Sequence, residues 1–150
     1  MAGNLKPAHY EHGRAVEVKS FKVGKDGGTL EAGNTGTPID GTVVVIPGGA
    51  LSNDTIISLG YNDGTLDLRA GKACGVVIVL SAEPDVTFQR PVTLKVKFDH
   101  SNTKLTLTGY EIDDRGRLHL LDIGYLNKDT GDASFYTFKP LTFTWVYIYY

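Results

Sequence analysis

The sequence has a single cysteine, Cys74, and a single methionine, at position 1. One cysteine excludes an intrachain disulfide framework. Cys74 precedes an apolar run and has no His or Asp near it in sequence, so it reads as a small buried hydrophobe. Long apolar runs are also missing. The longest aliphatic stretch, Val76 to Leu80, falls far short of the ~20 residues of a spanning helix, so no membrane span is expected. No cluster of Lys and Arg exceeds two residues, and the net charge is −2 with a pI near 6.0. That leaves no electrostatic footprint for nucleic acid. The opening Met1-Ala-Gly-Asn-Leu-Lys-Pro7 lacks the apolar core of a secretory signal. The expected location is a virion or the cytoplasm, or outside the cell if a leader has been removed. Helical periodicity is scarce too, because Gly, Pro or Asn interrupts most windows that would place apolar residues at i, i+3, i+4 and i+7.

What remains is a chain of 150 residues, 41% hydrophobic, with 18 glycines. That is one domain's worth of sequence, long enough to bury a core. Short β-rich runs divided by turn residues dominate. They are Ala15–Val23, Gly28–Glu31, Thr42–Ile46, Thr55–Leu59, Gly75–Ser81, Val92–Phe98, Leu105–Asp113, Arg117–Asp122, Ala133–Phe138 and Thr142–Tyr149. Between them lie Lys25-Asp-Gly-Gly, Pro47-Gly-Gly, Asn62-Asp-Gly, Asp114-Arg-Gly and Asp129-Thr-Gly, each offering a residue that tolerates positive φ. Val92-Thr-Leu-Lys-Val-Lys-Phe98 alternates as a half-buried strand. Val43–Ile46 and Val76–Leu80 are apolar throughout, the pattern of strands covered on both sides. About ten such strands predict an all-β antiparallel sandwich spanning residues 15–150. Residues 1–14 show no periodicity and read as an N-terminal arm that needs another surface to lie on.

Gly27-Gly-Thr-Leu30, Val43-Val-Val-Ile-Pro-Gly-Gly-Ala-Leu51, Thr55-Ile-Ile-Ser58, Leu80-Ser-Ala-Glu-Pro84 and Val86-Thr-Phe-Gln-Arg-Pro-Val-Thr-Leu94 follow one another in order. This succession resembles the ZU-five domain of zonula occludens proteins, netrin receptors and ankyrins, with Gly48 where the family has a second Pro. The likeness covers roughly residues 26–98 and continues more weakly from Tyr110 to Trp145. It implies a β-sandwich scaffold and no particular chemistry. Some members cleave themselves at a His-Phe-Ser triplet opening a late strand. The matching place here is Thr142-Phe143-Thr144. Thr144 keeps a hydroxyl, but Thr142 cannot take up its proton near neutral pH. The triplet is a degenerate self-cleavage motif, and no catalytic residue is expected.

Other candidate sites weaken on inspection. His9 and His12 flank Glu11, yet two histidines on an arm rarely close a metal site, so no metal and no cofactor is expected. Asp99, His100 and Ser101 are adjacent on the chain and point in different directions, which excludes a triad. Asp113 and Asp114 precede Arg115-Gly116 in a tight turn, and His119 faces solvent on the next strand. Asn127 to Asp132 lacks the Gly and Glu of a calcium loop and reads as a hairpin turn. Lys25-Asp-Gly-Gly-Thr29 lacks the Lys-Ser/Thr ending of a phosphate loop.

Aromatic residues are unevenly spread, with 10 of 15 in the last 50 positions. Phe143, Trp145, Tyr147 and Tyr149 alternate onto one face of the last strand; Thr144, Val146, Ile148 and Tyr150 take the other. Either this strand is covered on both faces, or one face is a protein interface or a platform for sugars. The expected interface residues are Tyr10 and His12 on the arm and Trp145, Tyr147, Tyr149 and Tyr150 at the end. The expected function is a non-catalytic structural or protein-binding module. Its concrete form is an accessory, decoration-type protein of a larger assembly such as a phage capsid, with self-association as one mode of contact. The alternatives are a cell-surface or envelope adhesion domain and a carbohydrate-binding module that uses the C-terminal aromatics.

Overall fold

The computed structural model describes residues 9–67, 72–73, 76–98, 105–121 and 123–149. Cys74, Asp99 to Ser101 and Tyr150 lie outside them, as do the expectations attached to these residues. In chain order the strands are β1 (His9–Glu11), β2 (Ala15–Val23), β3 (Gly28–Glu31), β4 (Val43–Ile46), β5 (Thr55–Asn62), β6 (Thr65–Asp67) and β7 (Lys72–Ala73). They continue with β8 (Val77–Glu83), β9 (Val92–Lys97), β10 (Leu105–Ile112), β11 (Leu118–Leu120), β12 (Ile123–Asn127), β13 (Asp132–Thr137) and β14 (Leu141–Tyr149). The fold is an all-β antiparallel sandwich. One sheet runs β11-β10-β14-β8-β5-β2, with β7 alongside β14, and the other runs β12-β13-β9-β4-β3. A small third sheet pairs β1 with β6.

The alternation of strand residues places the core between the two large sheets. Leu30, Val44, Ile46, Val92, Leu94, Val96 and Phe135 point inward from one side. Ile57, Leu59, Ile78, Leu80, Leu107, Phe143 and Trp145 meet them from the other. Each such side chain contributes about 1.5–3 kcal/mol by leaving water. Gly109 on β10 allows a close approach of the sheets. A Cβ there would stand 2.3 Å from the Phe135 ring across the core.

Turn glycines do what the sequence demands of them. Gly27, Gly49, Gly116 and Gly131 all take positive φ, at 73°, 85°, 80° and 75°, where other residues are strained. Gly131 N–H closes its hairpin on the Asn127 carbonyl at 3.0 Å.

Two expectations change. Val43 and Val45 are only half-buried, because β4 is covered by the core on one face alone. Of the expected arm, residues 1–8 lie outside the described residues and residues 9–14 pack on the fold. His9 to Glu11 form β1, paired with Thr65–Asp67 of β6, and Tyr10 N–H donates to the Gly116 carbonyl at 2.7 Å. The surface that residues 9–14 lie on is therefore this same chain.

Candidate binding surface

β14 occupies the middle of the larger sheet, between β10 and β8. Its inward side chains Phe143 and Trp145 are 0% and 5% exposed, and its outward Thr144 and Val146 are 0% and 2% exposed. Over this stretch the strand is covered on both faces. Trp145 therefore offers no contact surface, contrary to the interface expected from the sequence. Thr144 Oγ1 donates to the Val76 carbonyl at 3.1 Å, Phe143 is in the core, and Thr142 pairs with Val79. The hydroxyl of the degenerate triplet is thus bound to backbone. Tyr147 and Tyr149 are placed by their backbones, opposite Leu107 and Leu105 of β10.

The outer face near β14 is covered by the small sheet. Tyr10, Val77 and Ile112 form a second apolar cluster, with Leu66 and Leu118 against it. Tyr10 is 1% exposed, which corrects its assignment as an interface residue: it anchors the arm from below. Its hydroxyl donates to Asn62 Oδ1 at 2.6 Å, and the same oxygen accepts from the N–H groups of Gly13 and Gly64. Burial pushes the Tyr10 phenol above its usual range. His12 stays at the surface, edge-on to Tyr10 at 5.1 Å between ring centroids. It donates Nε2–H to the Asp113 carbonyl at 2.8 Å.

Asp113 organises the turn beneath. His119 Nε2 meets its Oδ2 at 2.9 Å, and Arg117 Nε donates to the same oxygen at 3.0 Å. The N–H groups of Arg115 and Arg117 both donate to Oδ1 at 2.9 Å. The His119 hydrogen bond first, then these backbone donors, hold the carboxyl well below the usual carboxylate range. Among the described residues no group of three or more His, Cys, Asp or Glu is arranged to hold a metal ion. No helix there is long and apolar enough to cross a membrane.

The exposed apolar surface lies elsewhere. Leu120, Phe138, Tyr125, Tyr136 and Ile123 are 74%, 55%, 54%, 43% and 42% exposed. Leu120, Tyr136 and Phe138 line one depression where the β11 edge meets the end of β13. Glu111 and Lys139, joined at 2.7 Å, stand at its rim. Ile123 stands opposite Phe135 in the β12–β13 pair.

Tyr136 also borders a second hollow, of about 560 Å³, on the outer face of the five-stranded sheet. Strand register builds its floor. Val43, Lys95, Ser134 and Tyr125 form one row across β4, β9, β13 and β12, and Val45, Thr93 and Tyr136 form the next. Lys97 and Asp132 close one end as an ion pair. The Tyr136 ring lies across Gly124, three of its atoms 2.4–2.6 Å from where a Cβ would sit.

Sequence reasoning missed both depressions. The available signal was Ala133-Ser-Phe-Tyr-Thr-Phe138: if Phe135 faces the core, Tyr136 and Phe138 flank it on the opposite face. No family model and no curated protein matches this chain.

Proposed function

We propose that this chain is a non-catalytic, protein-binding β-sandwich module, an accessory subunit of a larger protein assembly of the decoration type, such as that of a phage capsid. The supporting observation is the apolar corner of Leu120, Phe138 and Tyr136. Large apolar side chains gathered at one place and rimmed by the Glu111–Lys139 ion pair match the apolar centre and polar rim of a protein interface. The rest of the molecule is the rigid block that presents it.

The test is a Leu120→Lys/Phe138→Lys double variant expressed in the native source. The wild-type chain is expected to elute from a gentle extract in a high-mass particle fraction. The double variant is expected at the monomer position with its melting temperature unchanged. A wild-type chain that elutes alone, or a variant that stays in the particle fraction, would overturn the proposal.

A further inference from the structure

We infer that the hollow on the outer face of the five-stranded sheet is a binding site for an acidic saccharide, a sugar carrying a carboxylate. This goes beyond the protein contact proposed for the neighbouring corner: Tyr136 borders both, but Lys95, Thr93 and Ser134 line the hollow alone and Leu120 and Phe138 the corner alone.

The shape is the first argument. At about 560 Å³ the hollow falls within the roughly 300–1,000 Å³ of small-ligand sites. Its floor is sheet, so it is held in place by strand pairing rather than by loops.

The chemistry is the second. Tyr136 lies close over Gly124, which has no Cβ to displace it, and is 43% exposed, so part of its ring is open to a ligand. The electron-rich face of an aromatic ring attracts the polarised C–H groups of a sugar ring. Tyr125 stands in the next row, its hydroxyl accepting from Asn127 Nδ2 at 2.9 Å, which fixes its orientation. On the β9 side of the rings, Ser134 of β13 and Thr93 and Lys95 of β9 continue the floor. Among the described residues none of these three makes a side-chain hydrogen bond or ion pair within the protein. The Thr93 hydroxyl and the Lys95 ammonium are available to a ligand rich in hydroxyl groups, while Ser134 is buried in the floor beneath them.

Charge selects among sugars. Lys97 is paired with Asp132, whereas Lys95, in the middle row, makes no ion pair among the described residues. The uncompensated charge on the floor is therefore positive. A ligand carboxylate at Lys95 would make a charge-assisted hydrogen bond, while a neutral sugar would leave that cation unmatched.

The experiment uses the full chain on a glycan array carrying uronate-, sialate- and neutral-terminated oligosaccharides. Binding is expected on carboxylated glycans and to weaken as salt rises. Lys95→Gln is expected to reduce that binding about tenfold. Tyr136→Ala is expected to abolish it, and the Leu120→Lys/Phe138→Lys variant to leave it unchanged. Lys95 is exposed, so its substitution keeps the test valid even if Tyr136→Ala disturbs the sheet. Binding to no glycan, equal binding to neutral glycans, or unchanged binding by Lys95→Gln would each overturn the inference. None of those results bears on the particle-fraction test of the corner.

Discussion

Replacing Gly109 by alanine adds one methyl group to the middle of β10. In an unconstrained strand this change stabilises, by roughly 0.5–1 kcal/mol, because glycine loses the most freedom on folding. Here the sign should reverse. The new Cβ would stand 2.3, 2.7 and 2.9 Å from Cε1, Cδ1 and Cζ of Phe135. That is about 1 Å inside normal carbon–carbon contact of ~3.5–4.0 Å. Phe135 is 0% exposed and has Phe143 6.5 Å away between centroids, so its ring has little room to retreat. Overpacking of this kind costs about 1–3 kcal/mol. At ~2–4 °C per kcal/mol for a chain of this size, the melting temperature should drop by roughly 3–10 °C. Equilibrium urea unfolding should show a lower midpoint with an unchanged slope. A Phe135→Leu change removes the obstructing ring, so the double variant should cost less than the sum of the two singles. A Gly109→Ala protein as stable as wild type, or strictly additive costs in the double variant, would refute the reasoning.

Two further outcomes follow from the packing of the small sheet. Tyr10→Phe removes the hydrogen bond to Asn62 Oδ1 and should cost about 0.5–1.5 kcal/mol in urea unfolding; no loss would mean that the hydroxyl is dispensable. Asp113 is held below its usual carboxylate range by His119 and the Arg117 and Arg115 N–H groups, so its folded-state value lies under the unfolded value of 3.8. Its contribution to stability is present above that unfolded value and lost as pH falls toward the folded one. Asp113→Asn should therefore lower the melting temperature at about pH 6 and narrow the difference between about pH 5 and pH 2.5. A variant that loses as much on acidification as wild type would exclude Asp113 as a contributor.

Much of the sandwich is legible in the residues. Ala15–Val23 and Gly28–Glu31 form strands with the bounds that alternation and turn chemistry imply. β1, β6, β7 and β12 are not legible in this way. His9-Tyr-Glu11 pairs with a segment more than fifty residues away, and three residues are too few to show a period. β12 contains Gly124 and a register shift between Ile123 and Tyr125, so no alternation survives in it. The burial of Trp145 is illegible for a related reason. Alternation along β14 tells which residues share a face, but whether that face is covered depends on chain from elsewhere. Tyr10 and Leu66 come back over the neighbouring strands, and no local pattern around Trp145 announces them. Tyr136 and Phe138, by contrast, lie at the end of β13, where none of the described residues returns to cover them.

The position of β14 also constrains how the molecule comes into being. The strand that joins β8 to β10 is the last of the fourteen to be synthesised. Until it emerges from the ribosome, the larger sheet is two fragments, β2-β5-β8 and β10-β11, with nothing to hydrogen-bond between them. Each fragment then presents an open edge of unpaired backbone groups, the kind of surface on which nascent chains stick to one another. Closure needs contacts between residues far apart in sequence, a topology that folds slowly. A chain stalled before Leu141 should therefore be a client for chaperones, whereas one completed through Val146 can insert its own central strand.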